Sequence, residues 1–265
     1  MLNAGGGGGA NTSFNRIYNN TIVKNNAKAV AVQDFNVGPA GPVRVMSNNK
    51  FVNNFVYGYL APGSYNELLL YWDQLQNTND RWINNVFGNS GGSATELIMT
   101  NKTGPYNLAG AIATLLNPVN PEFTSRNGFN NVYNANPGFA NYAGDNFTLP
   151  VGNIYINAGA HLTNVRTGDS GSGTTLLVDD AQFFQDGKGI PGVVGDQIAI
   201  GLVTTTRQIT AINYSANTIT LSSSVTRAVG NKIWLYAGSS GNVVLNGSAP
   251  DIGAFESASA VVIPV

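Results

Sequence analysis

The motif Asn20-Thr21-Ile22 returns along the chain as Asn49-Lys50-Phe51, Asn85-Val86-Phe87 and Asn131-Val132-Tyr133. Each copy consists of an Asn, a variable residue and a large apolar residue, and the copies lie 29, 36 and 46 residues apart. Self-similarity at intervals of roughly 20–50 residues is the signature of a stacked repeat architecture. The motif therefore predicts a coil of short strands that turns a corner at Asn and places one apolar side chain in a shared core.

The composition supports a many-turned β protein. Only 10% of the 265 residues are charged, against roughly 25% in an average globular protein, while Gly occurs 32 times. Asn and Gly tolerate the positive φ that tight corners require. The net charge of −1 and the lack of a basic block argue against nucleic-acid binding. The chain has no cysteine and no apolar run near the roughly 18 residues that span a bilayer, so we expect neither disulfides nor a membrane span.

Longer units surround the motif at residues 14–34, 43–73 and 81–102, with a shorter copy around 123–134. Each unit holds three strands of about four to seven residues separated by Asn or Gly corners. Stacked in register, about four such coils would form three parallel sheets. Exposed stack ends favour association, so we expect further N-terminal coils of a longer protein or a homo-oligomer.

The third strand of each unit sets the candidate site. Val30 and Val32 align with Leu68 and Leu70 and with Leu97 and Met99, and period-two alternation points these side chains inward. The alternative for Glu67–Gln76 is a helix, because Leu and Gln favour helices. Residues 107–116 are a stronger helix candidate, on a loop between coils.

From about residue 168 the Asn repeats give way to short alternating strands. A hairpin turn is predicted at Tyr214–Thr218, and the strands suggest a small antiparallel barrel or sandwich. The predicted strands are Thr175–Val178, Gln197–Ile200, Gln208–Ile212, Thr218–Leu221 and Lys232–Tyr236. We therefore predict parallel coils over 1–164, an antiparallel module over 165–243, and a return to the stack over 244–265.

Glu67 and Glu96 form the sharpest candidate catalytic pair. They occupy equivalent outward positions on successive coils, and neighbouring strands lie about 4.8 Å apart. A separation of roughly 5 Å is near that of the carboxylates in a retaining glycosidase. The repulsion would raise one pKa, as a general acid requires. The alternative is that both are solvated glutamates paired with Lys28 or Lys102.

Aromatic and charged residues near the ends of the same strands suggest a sugar-binding groove. Tyr71 and Trp72 could stack on sugar rings beside Asp73, or they could fill space under the loop 74–80. Lys102 is a candidate base, and Arg44 and Arg81 are cations that could neutralise an acidic sugar.

Two further residues have simpler interpretations. Arg81 also has a local explanation as an ion-pair partner of Asp80. His161, the single histidine, is predicted to be structural.

Three segments carry a resemblance to right-handed parallel β-helix proteins of the pectate-lyase-like superfamily. They are the Asn-rich coils, the run Asn136-Pro-Gly-Phe139 with Gly144–Leu149 and Ile156–Gly159, and the phrase Gly247-Ser-Ala-Pro-Asp-Ile-Gly-Ala-Phe-Glu256. The residues from about 165 to 243 are similar to a small β insertion found in some members. The superfamily contains lyases, hydrolases, epimerases, tailspikes and non-catalytic surface proteins, so fold alone does not select a chemistry.

The resemblance implies an extracellular, cell-surface or virion-surface protein that binds, and in the enzymatic case cleaves by elimination or hydrolysis, an extended polysaccharide along the stack. The alternative is a non-catalytic structural or adhesive module, such as part of a tailspike. No resident cofactor or metal is predicted. Calcium is a weaker alternative, and its candidate ligands are Asp179, Asp180 and the loop Asp186–Asp196, none of which matches the twelve-residue calcium loop.

Overall fold

The computed structural model describes residues 2–3, 12–23, 30–33, 46–58, 70–73, 81–89, 98–100, 105–106, 131–133 and 136–257. Within these residues the chain is all-β, and its only helical element is a 3-10 turn at Ala181–Phe183. The chain divides into two compact units, Met1–Phe147 and Thr148–Val265. The predicted boundary at 165 lies inside the second unit.

The described part of the first unit contains short strands separated by corners. They are β1 Leu2–Asn3, β2 Thr12–Ser13, β3 Arg16–Tyr18, β4 Thr21–Val23, β5 Val30–Gln33, β6 Met46–Ser47, β7 Lys50–Val52, β8 Phe55–Gly58, β9 Leu70–Asp73, β10 Arg81–Ile83, β11 Val86–Asn89, β12 Ile98–Thr100, β13 Pro105–Tyr106 and β14 Val132–Tyr133.

Strands from successive units pair in parallel, as the repeat predicted. The orders are β10-β7-β3, β14-β11-β8-β4, β2-β6, and β1-β5-β9-β12 with β13 added antiparallel at one edge. Each coil returns the chain to the strand beside its predecessor, so the first unit is β-helix-like. The strand Leu70–Asp73 also decides against the helical alternative for this part of Glu67–Gln76.

The predicted alignment of the four motif copies was wrong at one copy, Asn49-Lys50-Phe51. Ile22 lies beside Val56, and Val56 beside Phe87, whereas Phe51 lies between Ile17 and Trp82 in the neighbouring sheet. The reason is that a coil turns two Asn corners five residues apart, and both corners match the same motif. The segment Asn49-Lys50-Phe51 therefore belongs to the earlier corner, together with Asn15-Arg16-Ile17.

The corners are built on left-handed backbone. Five non-glycine residues with φ between 50° and 62° each stand immediately before a strand-opening Asn: Phe14, Asn19, Asn48, Asn53 and Asn84. Asn is several-fold enriched in this region because its short polar side chain can hydrogen-bond locally. In an Asn-Asn doublet, the first residue therefore adopts the left-handed conformation that bends the chain, and the second is hydrogen-bonded to the Asn of the next coil.

Each coil has an earlier and a later corner. The Asn residues that precede the strand after the later corner are joined, coil to coil, in one continuous hydrogen-bonded ladder. Asn20, Asn54 and Asn85 each donate their backbone N–H and their Nδ2 to the Oδ1 of the next Asn, at 2.8–3.1 Å, and the ladder ends on Asn131. The sequence separations are 34, 31 and 46 residues. The Nδ2 of Asn54, Asn85 and Asn131 also donates across the corner to a strand carbonyl, at 2.8–2.9 Å. Backbone groups that a tight corner would leave unpaired are satisfied in this way.

Apolar side chains fill the middle coils. Phe51 and Trp82 stack with ring centroids 3.8 Å apart, and both are 2% exposed. On β8, the rings of Phe55 and Tyr57 contact Phe139 edge-on at 5.3 and 5.8 Å. The segment around Phe139 therefore packs on the face of β8 that carries these two residues, which are two positions apart on the strand.

The third-strand alignment also needs correction. Val30 pairs with Leu70 rather than Leu68, and Leu70 pairs with Ile98 rather than Met99. The run Leu68–Leu70 has no apolar-polar alternation, so the sequence does not fix its register. A slip of one residue exchanges the two faces of a strand.

The second unit is an antiparallel half-barrel. Its strands are β15 Thr163–Asn164, β16 Gly171–Leu177, β17 Gln197–Ile200, β18 Leu202–Asn213, β19 Thr218–Arg227 and β20 Lys232–Ala237, in the order β15-β20-β17-β18-β19-β16. The five predicted strands and the hairpin turn before Thr218 are confirmed.

The two outer strands of this sheet also meet. A bridge joins Val165 to Val178, and the Arg166 N–H donates to the Leu177 carbonyl at 3.0 Å. The edges that would otherwise invite association are thereby paired.

The segment 247–256 folds back onto residues 155–159. The Asp251 carboxylate is fully buried and accepts N–H groups from Asn157 and Ser257, each at 2.7 Å. The Glu256 carboxylate accepts N–H groups from Asp251 at 2.8 Å and Asn246 at 3.1 Å. Two carboxylates thus hold four backbone amides, and we call this arrangement the carboxylate clasp.

Candidate functional site

The sheet β5-β9-β12 carries the described part of the predicted sugar-binding groove. Its register places Tyr71 between Ala31 and Met99, and Trp72 between Val32 and Thr100. Asp73 lies beside Gln33. Neighbouring positions in such a sheet are about 4.8 Å apart. Tyr71, Trp72 and Asp73 therefore share one sheet with residues of the preceding and following coils.

Several predicted site residues lie outside the described part of the chain: Glu67, Glu96, Lys102 and Arg44. Their pairing therefore stays a prediction. The alignment behind it placed equivalent positions 29 residues apart, while the observed pair Leu70 and Ile98 is 28 apart. An outward-facing carboxylate pair would require that offset to change between residues 67 and 70 or between 96 and 98.

Arg81 stands in a row of cations that the sequence did not reveal. In the sheet β3-β7-β10 it lies beside Lys50, and Lys50 lies beside Arg16. Lys50 is only 2% exposed, and the two arginines are half-buried. Neighbouring strand positions are about 4.8 Å apart, so the register places three basic residues in one row.

A positional rule could have found the row. Arg16 and Lys50 each directly follow the Asn of the earlier corner, Asn15 and Asn49. The two Asn residues are themselves linked, since Asn15 donates its N–H and Nδ2 to the Asn49 Oδ1 at 3.1 and 2.9 Å. The local interpretation of Arg81 as a partner of Asp80 does not reveal that Arg81 occupies the position equivalent to Lys50 in the next coil.

Two titratable groups of the second unit, His161 and Glu256, have pKa values that their surroundings shift. His161 contacts Trp234 edge-on at a ring distance of 6.2 Å, which fits the predicted structural role. Burial, together with the charge of Lys232, lowers the pKa of His161. Burial raises the pKa of Glu256 to about 7, and the nearby Asp251 charge acts in the same direction.

Asp180 and Asp186, two of the candidate calcium ligands, accept backbone hydrogen bonds. Asp180 accepts the Gln182 N–H that opens the 3-10 turn, at 2.9 Å. Asp186 accepts N–H groups from Lys188 at 3.0 Å and Ile212 at 2.9 Å. Within the described ranges, no three or more His, Cys, Asp or Glu side chains are grouped in a way that could hold a metal ion.

A buried ion pair ties β19 to the loop before β16. Arg227 donates through Nε and Nη2 to both oxygens of Asp169, which also accepts the Leu177 N–H at 2.8 Å. Burial alone would raise the pKa of Asp169. The hydrogen bonds from Arg227 and Leu177 and the charges of Arg227 and Arg166 outweigh it and hold this pKa below its usual value.

Comparisons with protein-family models, with curated proteins and with solved structures gave no significant match. None of the helices in the described portion has the length and apolar character needed to cross a membrane.

Proposed function

We propose that the first unit is a right-handed parallel β-helix that binds an extended polysaccharide along the sheet β5-β9-β12. The supporting observation is the parallel register, which sets Ala31, Tyr71 and Met99 side by side and repeats the arrangement at the next position. A linear polymer is recognised by contacts that recur along one direction, and stacked coils provide such a surface. Right-handedness follows the strong preference of parallel crossover connections.

The proposal gives each predicted residue a role. Residues two positions apart on a strand share a face, so the proposal assigns the sugar-stacking ring to Tyr71 and the hydroxyl acceptor to Asp73, with Trp72 packing on the other face. Arg81, which lies on β10 in the separate sheet β3-β7-β10, and Arg44 are the cations that the proposal assigns to acidic sugars. In the enzymatic form of the proposal, Glu67 and Glu96 act as a hydrolase pair, or Lys102 removes the proton next to a uronate carboxylate as a lyase base.

A second candidate function is a rigid, non-catalytic structural or adhesive module. The Asn ladder favours it, because four linked corners stiffen the stack without reference to any chemistry. Both candidates place the protein at the outside of a cell or virion with a polysaccharide partner, and neither involves nucleic acid.

A polysaccharide panel with two readouts separates these functions. Elimination creates an unsaturated product that absorbs near 235 nm, hydrolysis creates reducing ends without that absorbance, and a purely adhesive module gives binding alone. For an enzyme, Glu67→Gln or Glu96→Gln should abolish turnover while binding in affinity electrophoresis is kept.

Binding itself is tested by a matched pair of variants. Arg81→Met and Tyr71→Ala should weaken retention on the bound polysaccharide, whereas Arg207→Met, a cation of the second unit, should not. Absence of binding to every polymer in a broad panel of neutral and acidic glycans would refute the proposal.

A further inference from the structure

One Asn-Gly dipeptide lies in the described part of the chain, at Asn246-Gly247. The sequence contains the same pair at Asn127-Gly128, outside the described residues. Glycine has no side chain to shield its backbone nitrogen, so this nitrogen can approach the side-chain carbonyl of a preceding Asn. Attack by that nitrogen closes a ring and expels the side-chain amide as ammonia. Asn-Gly is therefore the dipeptide in which an Asn most readily loses its amide.

The fold requires glycine at position 247. The φ of Gly247 is +145°, a conformation that residues with a side chain rarely adopt. A Cβ at this position would lie 2.0 Å from the Asn157 Oδ1, and that oxygen accepts the Ser248 N–H at 2.9 Å. Any other residue at 247 would displace this contact. Packing against Asn157 therefore maintains the reactive dipeptide.

The nitrogen that would attack is not engaged elsewhere. Asn246 is exposed, and within the described residues the Gly247 N–H donates no hydrogen bond. The dipeptide Asp186-Gly187 provides a contrast, because the Gly187 N–H donates to the Gln185 Oε1. The Asp186 carboxylate is itself held by two backbone N–H groups. The structure therefore leaves the nucleophile free at 247 and restrains it at 187.

We propose that Asn246-Gly247 is a self-modifying site, at which the chain slowly converts Asn246 into aspartate and isoaspartate. The Gly247 nitrogen bonds to the Asn246 Cγ while its proton passes through water to Nδ2. The Cγ–Nδ2 bond then breaks, ammonia leaves, and a cyclic imide remains. Water adds to either imide carbonyl and opens the ring. Water is the only co-reactant, so the conversion needs no enzyme.

The modification changes the carboxylate clasp. Asn246 donates its N–H to the Glu256 carboxylate at 3.1 Å and its Nδ2 to the Ser257 carbonyl at 3.3 Å. The product replaces the Nδ2 donor by a carboxylate oxygen, which is repelled by the Ser257 carbonyl and adds an acidic group to a clasp that already holds two carboxylates. In isoaspartate the backbone is also a methylene longer. The site therefore acts as a timer that loosens the clasp.

Ageing of the full chain tests the proposal. The purified protein is incubated at mildly alkaline pH, and peptide mapping by mass spectrometry follows the conversion of amide to acid at Asn246. A synthetic peptide spanning residues 243–250 gives the rate without the fold. We expect the full chain to react at no less than about a tenth of the peptide rate, a penalty of at most about 1.4 kcal/mol. The control variant Asn246→Gln keeps the amide but must close a larger ring, so it should stay unmodified.

Hydrogen exchange connects the modification to the clasp. Residues 155–159 and 251–257 should exchange faster in the aged chain and in Asn246→Asp, with no change in 197–200. Three results would overturn the proposal: an amide retained at Asn246 while the peptide reacts; equal or faster loss of the amide at other Asn residues of 136–257; or exchange in the clasp that is the same before and after modification. None of these results depends on whether the chain binds polysaccharide.

Discussion

Replacing Asn85 by Leu probes the ladder where it is fully enclosed. Asn85 is 1% exposed, and its side chain makes four hydrogen bonds. Its Nδ2 donates to the Phe51 carbonyl and to the Asn131 Oδ1, and its Oδ1 accepts the N–H and Nδ2 of Asn54. Leu is similar in size but can form none of these bonds.

The expected cost follows from that inventory. The buried Asn54 N–H loses its acceptor, which costs about 1–3 kcal/mol, and the other three bonds contribute about 1 kcal/mol each. Allowing for partial relaxation, we expect the opening free energy of the first unit to fall by about 3–5 kcal/mol. The matched change Asn20→Leu removes two bonds from an exposed side chain and should cost about 1 kcal/mol.

Native-state hydrogen exchange is the suitable assay, because a chain of two compact units need not unfold in one step. Protection of residues 50–57 should fall by about two to four decades in Asn85→Leu and by less than about one decade in Asn20→Leu. Equal losses in the two variants would refute the ladder as the main support of the corners.

Three further predictions concern single residues. Phe14→Asn should slow hydrogen exchange in residues 16–18, because Phe14 holds φ 62° where the equivalent corner uses Asn48, and a gain below a few tenths of a kcal/mol would show that the strain is small. Unfolding midpoints of the second unit should fall as pH rises from about 4.5 through 7, since native Glu256 keeps its proton to about pH 7 and the unfolded chain releases it near 4.5; Glu256→Gln should remove this slope, and parallel pH profiles would contradict the assignment. Asp169→Leu should destabilise the second unit by about 3–5 kcal/mol in urea unfolding, and adding Arg227→Met should recover most of the loss; no recovery would mean that the buried charge is not the cause.

The fold was predictable at positions where the backbone conformation allows few residue types. Corners require left-handed backbone and a buried amide, so Asn had to recur, and the recurrence predicted parallel stacking. The strands of the second unit were equally readable, because β-branched residues alternate between turn residues. In both cases local chemistry and tertiary position select the same residues.

Register was not predictable. Asn49 and Asn54 carry the same motif five residues apart, and only the hydrogen bonds show that Asn54 belongs with Asn20. The apolar run Leu68–Leu70 offers no alternation that would reveal which positions face inward. Long-range contacts such as Asn157 with Asp251, 94 residues apart, leave no periodic trace.

In the candidate site, too, the strands were predictable and the alignment between coils was not. Tyr71, Trp72 and Asp73 lie on a strand of the stacked sheet, and their role in sugar binding stays a prediction. The cation row of Arg16, Lys50 and Arg81 was missed, since it appears only when the earlier corner is aligned across coils.

The claim that supports the whole account is that Asn20, Asn54, Asn85 and Asn131 stand in one column. Nuclear Overhauser contacts between their side-chain amides, measured in a chain with ¹⁵N-labelled Asn, test it directly. The account predicts cross-peaks linking each Asn Nδ2 proton to the next Asn in that order. Cross-peaks confined to sequence neighbours, or a link from Asn20 to Asn49 in place of Asn54, would contradict it.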